Sequence, residues 1–233
     1  MYKRIILKLS GEALSGDKAV GFDDKTAQRT VTEIKGLLEK GIETALVVGG
    51  GNWWRGRSAD SKMDRTKADS IGMLATVMNG IYLADMFRQN GVKAKVMTPV
   101  PVGNMTEVFS KDKALECLKA GEIVIFSMGL SHPFFSTDTV TALRACELEA
   151  DAILYAKSID GVYTADPAVD PNAVKLDELP CSEIVEKNLK VIDITAASLC
   201  AEHKVPLVIF AMAEEGAILK AAMGEKIGTT VTV

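Results

Sequence analysis

The chain has 233 residues, 48% hydrophobic and 25% charged, with 27 Lys+Arg against 31 Asp+Glu and a formal net charge of −4. That balance belongs to a globular protein long enough to bury a sizeable core, and it excludes disordered, collagen-like and mucin-like chains. A general nucleic-acid-binding role, which needs a basic surface, is disfavoured, and with no run of about 18 apolar residues no transmembrane helix and no membrane partner are expected.

Strand and helix signals alternate along the chain. Met1 to Lys8 starts like a signal peptide, but Lys8 breaks the apolar run too early. Residues 4–9 read as a strand ending at Ser10-Gly11. Residues 24–40 place Val31, Ile34 and Leu38 on one helical face, with Gly41 as the stop. Residues 44–48 are a short apolar run of the kind buried on both faces of a parallel sheet. Residues 69–90 read as a long helix, apolar on nearly every side, with Asp69 as cap and Gly91 as end. Its all-round apolarity points to burial in the core or at a subunit interface. A weaker strand follows at 93–97, then a helix from Ser110 to Gly121 and a buried strand at 122–126. A helix at 138–149, a strand at 152–155, a helix at 193–203, a strand at 207–210, a helix at 216–223 and a strand at 229–233 complete the pattern.

Repeated β-α units predict an α/β fold: a three-layer α/β/α sandwich with a mostly parallel central sheet, read as one domain over 1–233. Ligands in such folds sit beyond the carboxyl ends of the strands, so the turns there are the places to look for chemistry. The four cysteines form no CxxC pair and read as reduced core thiols of a cytoplasmic protein. Only two histidines are present, which excludes a His-rich metal site and disfavours a Ser-His-Asp triad.

Four turns stand out. Lys8 lies near the end of a strand otherwise read as buried, where a charge is costly unless paired or bound to an anion, and Gly11 lets backbone N–H groups approach a phosphate. The segment 11–17 falls short of a P-loop because Asp17 stands where the lysine belongs. Gly49-Gly50-Gly51 after the second strand exposes consecutive N–H groups as an anion nest, and Trp54 rules out a dinucleotide fingerprint. Residues 52–67 then hold five basic and two acidic side chains, of which Arg55, nearest the nest, is the favoured phosphate ligand. After the strand at 122–126, Ser136, Thr137 and the N–H groups of the next helix can hold an anion. There Phe134 and Phe135 either flank a planar base or pack in the core, and Asp138 either caps the helix or orients a lysine. His132 reads as a hydrogen-bonder in the loop. Finally, Asp160-Gly-Val-Tyr-Thr-Ala-Asp166-Pro167 marks turns, with Tyr163 offering a stacking face and Asp166 an acceptor.

Taken together, Lys8 to Leu14, Gly49 to Asn52 with Arg55-Gly56, Asp69 with Gly72 to Asn79, Pro133 to Asp138, Asp160 to Pro167 and Met223 to Lys226 resemble the amino acid kinase family, and within it a bacterial branch that phosphorylates UMP. The resemblance spans essentially the whole chain in order. It implies MgATP + UMP giving ADP + UDP, with Mg²⁺ carried by ATP and no protein metal ligand. It places Lys8, Leu9, Ser10, Gly11, Gly51, Arg55, Tyr163 and Asp166 on ATP, and Gly50, Asp69, Pro133, Phe134, Phe135, Ser136 and Thr137 on UMP. Lys8 and Arg55 would then meet the charge developing on the γ-phosphoryl group, and Asp138 would orient cations beside them. It further implies a cytoplasmic homohexamer activated by GTP and inhibited by UTP. The chain departs from the family pattern at Leu130-Ser131-His132 and at Lys157-Ser158, and no role is carried onto those positions. A sister kinase acting on glutamate or aspartate and a catalytically silent nucleotide sensor of the same fold are the alternatives.

Overall fold

The computed structural model describes residues 1–54, 62–165, 167–187, 189 and 191–233, and for Glu12 and Ala13 the backbone alone. The chain runs β1 (Arg4–Leu9), α1 (Glu12–Ser15), α2 (Asp24–Glu39), β2 (Glu43–Val48), α3 (Arg65–Gln89), β3 (Ala94–Thr98), β4 (Glu107–Val108), α4 (Lys111–Lys119), β5 (Ile123–Phe126) and α5 (Thr137–Glu147). It continues through β6 (Ala152–Lys157), β7 (Val162–Tyr163), β8 (Lys175–Leu176), β9 (Glu178–Pro180), α6 (Cys181–Glu186), α7 (Ile194–His203), β10 (Leu207–Ala211), α8 (Ala217–Met223) and β11 (Thr229–Thr232).

One sheet in the order β4-β3-β5-β2-β1-β6-β10-β11-β9 forms the middle layer. Its strands from β4 to β10 are mutually parallel; β11 turns back antiparallel on β10, and β9 lies parallel to β11. Alternation of side chains explains the layers. Ile5, Leu7 and Leu9 of β1, Leu46 and Val48 of β2, and Leu154 and Ala156 of β6 join one core with α2, α3 and α8. The intervening Ile6, Ala45, Val47, Ile153 and Tyr155 join a second core with α4, α5, α6 and α7. A strand buried on both faces must read as a continuous apolar run, which is how β1, β2, β5, β6 and β10 appear in the sequence. The expected three-layer α/β/α sandwich is therefore the observed fold.

The differences from the sequence-based boundaries have local causes. Helix α3 begins one turn before the expected residue 69, because Asp64 is its cap and accepts from Thr66 N (2.9 Å) and Lys67 N (3.2 Å). The first turn, Arg-Thr-Lys, is polar and carries no apolar period, so it hid the start. Ser136 rather than Asp138 caps α5, accepting from Asp138 N at 2.9 Å. The two-residue β4, β7 and β8, the three-residue β9 and short α1 and α6 gave no pattern long enough to register. By length and composition α3 could cross a membrane, although Asp69 and Asn79 interrupt its apolar residues. In the fold it packs on β2, β3 and β5, and Asn79 is buried against the turn after β2. All four cysteines are free; Cys117, Cys181 and Cys200 are buried, and burial raises the thiol pKa of all four.

Candidate active site

Because β3, β5, β2, β1, β6 and β10 are parallel, the turns that follow them emerge at one edge of the sheet. The first two touch directly. Gly49 N donates to Leu9 O at 3.0 Å. A Cβ on Gly11 would lie 2.7 Å from both Gly51 N and Asn52 N, so no other residue fits there without parting the two turns. A Cβ on Gly50 would meet Gly72 O and Ala75 Cβ of α3 at 2.9 Å each. Gly11 and Gly50 are thus required for close packing, while Gly51 faces open space.

Lys8, next to last in β1, and Lys157, last in the neighbouring β6, point to the α5 side of the sheet. Lys8 Nζ lies 2.9 Å from Asp138 Oδ1, and Lys157 Nζ lies 3.8 Å from Asp138 Oδ2. The first contact has ion-pair distance without hydrogen-bond geometry, leaving Asp138 Oδ1 unsaturated in a buried setting. Lys157 also donates to Val191 O. Burial pulls the Lys157 pKa below the ordinary lysine value; Asp138 opposes this and Lys8 reinforces it. Two cations and one carboxylate therefore meet at the N-terminus of α5, where the helix dipole adds positive potential. Asp138 thus stands beside the lysines, while the cap of α5 is Ser136.

Ser136 Oγ, besides capping α5, donates to Asp193, and Thr139 Oγ1 donates to the same carboxylate at 2.9 Å. Asp193 itself caps α7, accepting from Ala196 N at 2.8 Å. One carboxylate thereby ties the starts of α5 and α7 together. Beside them opens a cleft of about 430 Å³, lined by Gly50, Trp54, Asp69, Phe134, Phe135, Ser136 and Thr137 among others. Asp69 stands on α3 one turn in, accepting from Arg65 Nε (2.8 Å) and from Phe134 N (2.9 Å). Burial pushes its pKa up, but these hydrogen bonds and the Arg65 charge outweigh that and hold it below the ordinary aspartate value. Phe134 and Phe135 are 69% and 51% exposed, so neither ring is core. Their loop holds Met128, Ser131 and Phe134 at φ of 68°, 61° and 73°, a concentration of left-handed non-glycine residues of the kind that clusters at functional sites.

Other candidates are placed as follows. Leu9 is fully buried, and its carbonyl is taken by Gly49; Pro133 lies in the cleft loop without lining the cleft. His132 lines the cleft. Tyr163 donates to Asp160 Oδ1 at 2.8 Å and lines a separate pocket of about 180 Å³ between β7–β8 and α6. Arg55 and Asp166 lie outside the described residues. Sequence reasoning passed over Lys157, although it closes an apolar run just as Lys8 does, and over Asp193 and Thr139, whose contact joins segments 54 residues apart.

The profile of the amino acid kinase family matches residues 3–211. Among solved structures, the UMP kinase from Bacillus anthracis is 35% identical, with a TM-score of 0.95 over 99% of this chain and 96% of that one. The UMP kinase from Ureaplasma parvum is 31% identical, with a TM-score of 0.92 over the full length of both chains. The uridylate kinase from Archaeoglobus fulgidus is 27% identical, with a TM-score of 0.75 over 98% of this chain and 99% of that one. The match is carried by the fold and by nearly the whole sequence: the chain belongs to the amino acid kinase family.

Proposed function

We propose that this protein transfers the γ-phosphoryl group of ATP to the phosphate of UMP, releasing ADP and UDP. The observation that carries the reading is the Lys8–Asp138–Lys157 cluster at the joined glycine turns, opening beside a cleft furnished with Asp69, Ser136 and exposed aromatic rings. The full-length likeness to proteins named UMP kinases supports it.

An oxygen of the UMP phosphate attacks the γ-phosphorus while the bond from that phosphorus to the β–γ bridging oxygen breaks. The attacking oxygen is already anionic, so no strong general base is needed, and the protein contributes alignment and charge neutralisation. Lys8 and Lys157 meet the charge on the γ-phosphoryl and bridging oxygens, Arg55 assists, and Asp138 keeps the ammonium groups aimed. The N–H groups of Ser10, Gly11 and Gly51 hold ATP phosphates; Gly50 and the Ser136–Thr137 helix start hold UMP. Asp69 accepts from the ribose, and the aromatic pair after Pro133 flanks the uracil. The adenosine end runs toward Tyr163 and Asp166, since Leu189 of that pocket is two residues from Val191, the Lys157 partner.

Mg²⁺ enters this reading carried on the ATP phosphates, with no protein ligand assigned to it. When bound there, Mg²⁺ would supply further charge neutralisation. A cytoplasmic homohexamer with GTP activation and UTP inhibition belongs to the same proposal. Self-association is supported by Ile71, Leu74, Met78 and Ile81, which form an exposed apolar ridge on α3.

The test is coupled ADP release with UMP, CMP, glutamate and aspartate as acceptors, with and without GTP. UMP-specific turnover is expected. Turnover with glutamate or aspartate would replace the reading by a carboxylate kinase, and nucleotide binding without transfer would replace it by a sensor. Within this assay Asp69→Asn should raise the KM for UMP by about tenfold or more, as loss of a charged acceptor predicts, with a smaller change in kcat. An unchanged KM would remove Asp69 from the ribose.

A further inference from the structure

Asn79 lies on α3 with no exposed surface and no ligand-facing atom, yet every hydrogen-bonding position of its side chain is used. Its Nδ2 donates to Gly49 O and to Asn52 Oδ1, both at 2.7 Å. Its Oδ1 accepts from Asn52 Nδ2 at 3.1 Å and from Trp53 Nε1 at 2.9 Å. All of these partners belong to the turn after β2. Asn52 Nδ2 also reaches Gly21 O at 3.1 Å, and Gly21 N returns a bond to Asn52 O at 3.0 Å. Gly49 to Gly51 cannot hold a shape by side-chain packing, because they have none. Glycine turns left to themselves sample many backbone conformations, so aligned N–H groups require an outside restraint.

We infer that Asn79 is a positioning residue: through the reciprocal amide pair with Asn52 and the bond to Gly49 it fixes the direction of the N–H groups of the glycine turn, and so the alignment of the two phosphates. This rests on the UMP kinase reading for its catalytic consequence, though not for its structural one. Its neighbour Thr76 makes the matching contact to the other side of the site, accepting from Met128 N at 2.7 Å. One face of α3 therefore sets the glycine turn against the loop after β5.

The experiment compares Asn79→Ala and Asn79→Asp with wild type. The Asp variant keeps the volume and both acceptor positions but loses both donors, which separates hydrogen bonding from packing. In both variants kcat should fall by about 10²-fold, as a misplacement of reacting groups predicts, with a smaller change in the KM for ATP and UMP. In a Trp54→Phe background Trp53 is the sole indole, and its emission should shift in Asn79→Ala, where its Nε1 partner is lost, and stay near wild type in Asn79→Asp, which keeps that acceptor. A folded variant with kcat within about threefold of wild type would overturn the inference. A fall in melting temperature with catalysis intact would do so as well, and so would unchanged Trp53 emission in Asn79→Ala. If neither variant folds, Asn52→Ala, which removes the pair from the turn side, decides by the same readouts. Should the wild type show no turnover with UMP, the functional reading fails while Trp53 emission and the calorimetric ATP affinity still judge the positioning.

Discussion

Replacing Asp138 by Asn is expected to lower kcat by about 10²- to 10³-fold, the range seen when one preorganised group is removed from a developing charge. The substitution conserves shape and leaves the Ser136 cap on α5 intact, so the fold should persist. What changes is the charge balance. Two ammonium groups now face each other with no carboxylate between them; the nearest remaining acid, Asp193, is engaged by Ser136, Thr139 and Ala196. Burial and Lys8 already lower the Lys157 pKa, and Asp138, ahead of Asp193, opposes them. Without it the Lys157 pKa falls further, so the alkaline limb of the pH–rate profile should move to lower pH. A kcat–pH series on wild type and variant checks both points. Near-normal turnover, or an alkaline limb that stays put, would show that the lysines do not depend on Asp138. Lys8→Ala should cost a comparable factor.

The largest effect on stability is expected from Gly228→Ala. Gly228 has φ of +61°, and a Cβ there would lie 2.0 Å from Ile209 O and 2.9 Å from Phe210 Cα, all backbone of β10. Neither contact can be relieved by turning a side chain, because β10 is hydrogen-bonded on both sides, to β6 and β11. Left-handed strain together with the steric displacement should destabilise the protein by about 2–6 kcal/mol. The effect should reach β7 and β8. The next residue, Thr229, accepts from Val162 N at 2.8 Å and donates to Leu176 O at 2.5 Å, holding β7 and β8 against the main sheet. Denaturant unfolding should show a lower midpoint with an unchanged slope, and hydrogen exchange should accelerate at Val162. A midpoint equal to wild type would mean that the β10–β11 crossing is less rigid than its register implies.

The layers and the sheet were legible because β1, β2, β5, β6 and β10 are continuous apolar runs, which sheets covered on both sides demand. The glycine turn and the lysine at the end of β1 were legible because a triple glycine and a charge in a buried strand each need a reason. The remainder depended on pairing that sequence spacing does not encode. Lys157 gains meaning only once β6 lies beside β1, with Lys8 in register with Tyr155. Asp193 could be read as a helix cap, but its bonds to Ser136 and Thr139 require α5 and α7 to meet. Asp69 looked like a cap because the polar first turn of α3 masked Asp64. Phe134 and Phe135 were ambiguous between core and ligand until their exposure was known.

Helix α3 has two working sides. Inward it carries Asp69, Thr76 and Asn79, which hold the loop after β5 and the glycine turn after β2; outward it carries the bare ridge of Ile71, Leu74, Met78 and Ile81. A second subunit seated on the ridge would bear on a rigid rod whose other side sets the glycine turn against the loop after β5. A tilt of a few degrees at that seam would be felt at both turns together, so in the proposed enzyme subunit contact and turnover would share one mechanical part.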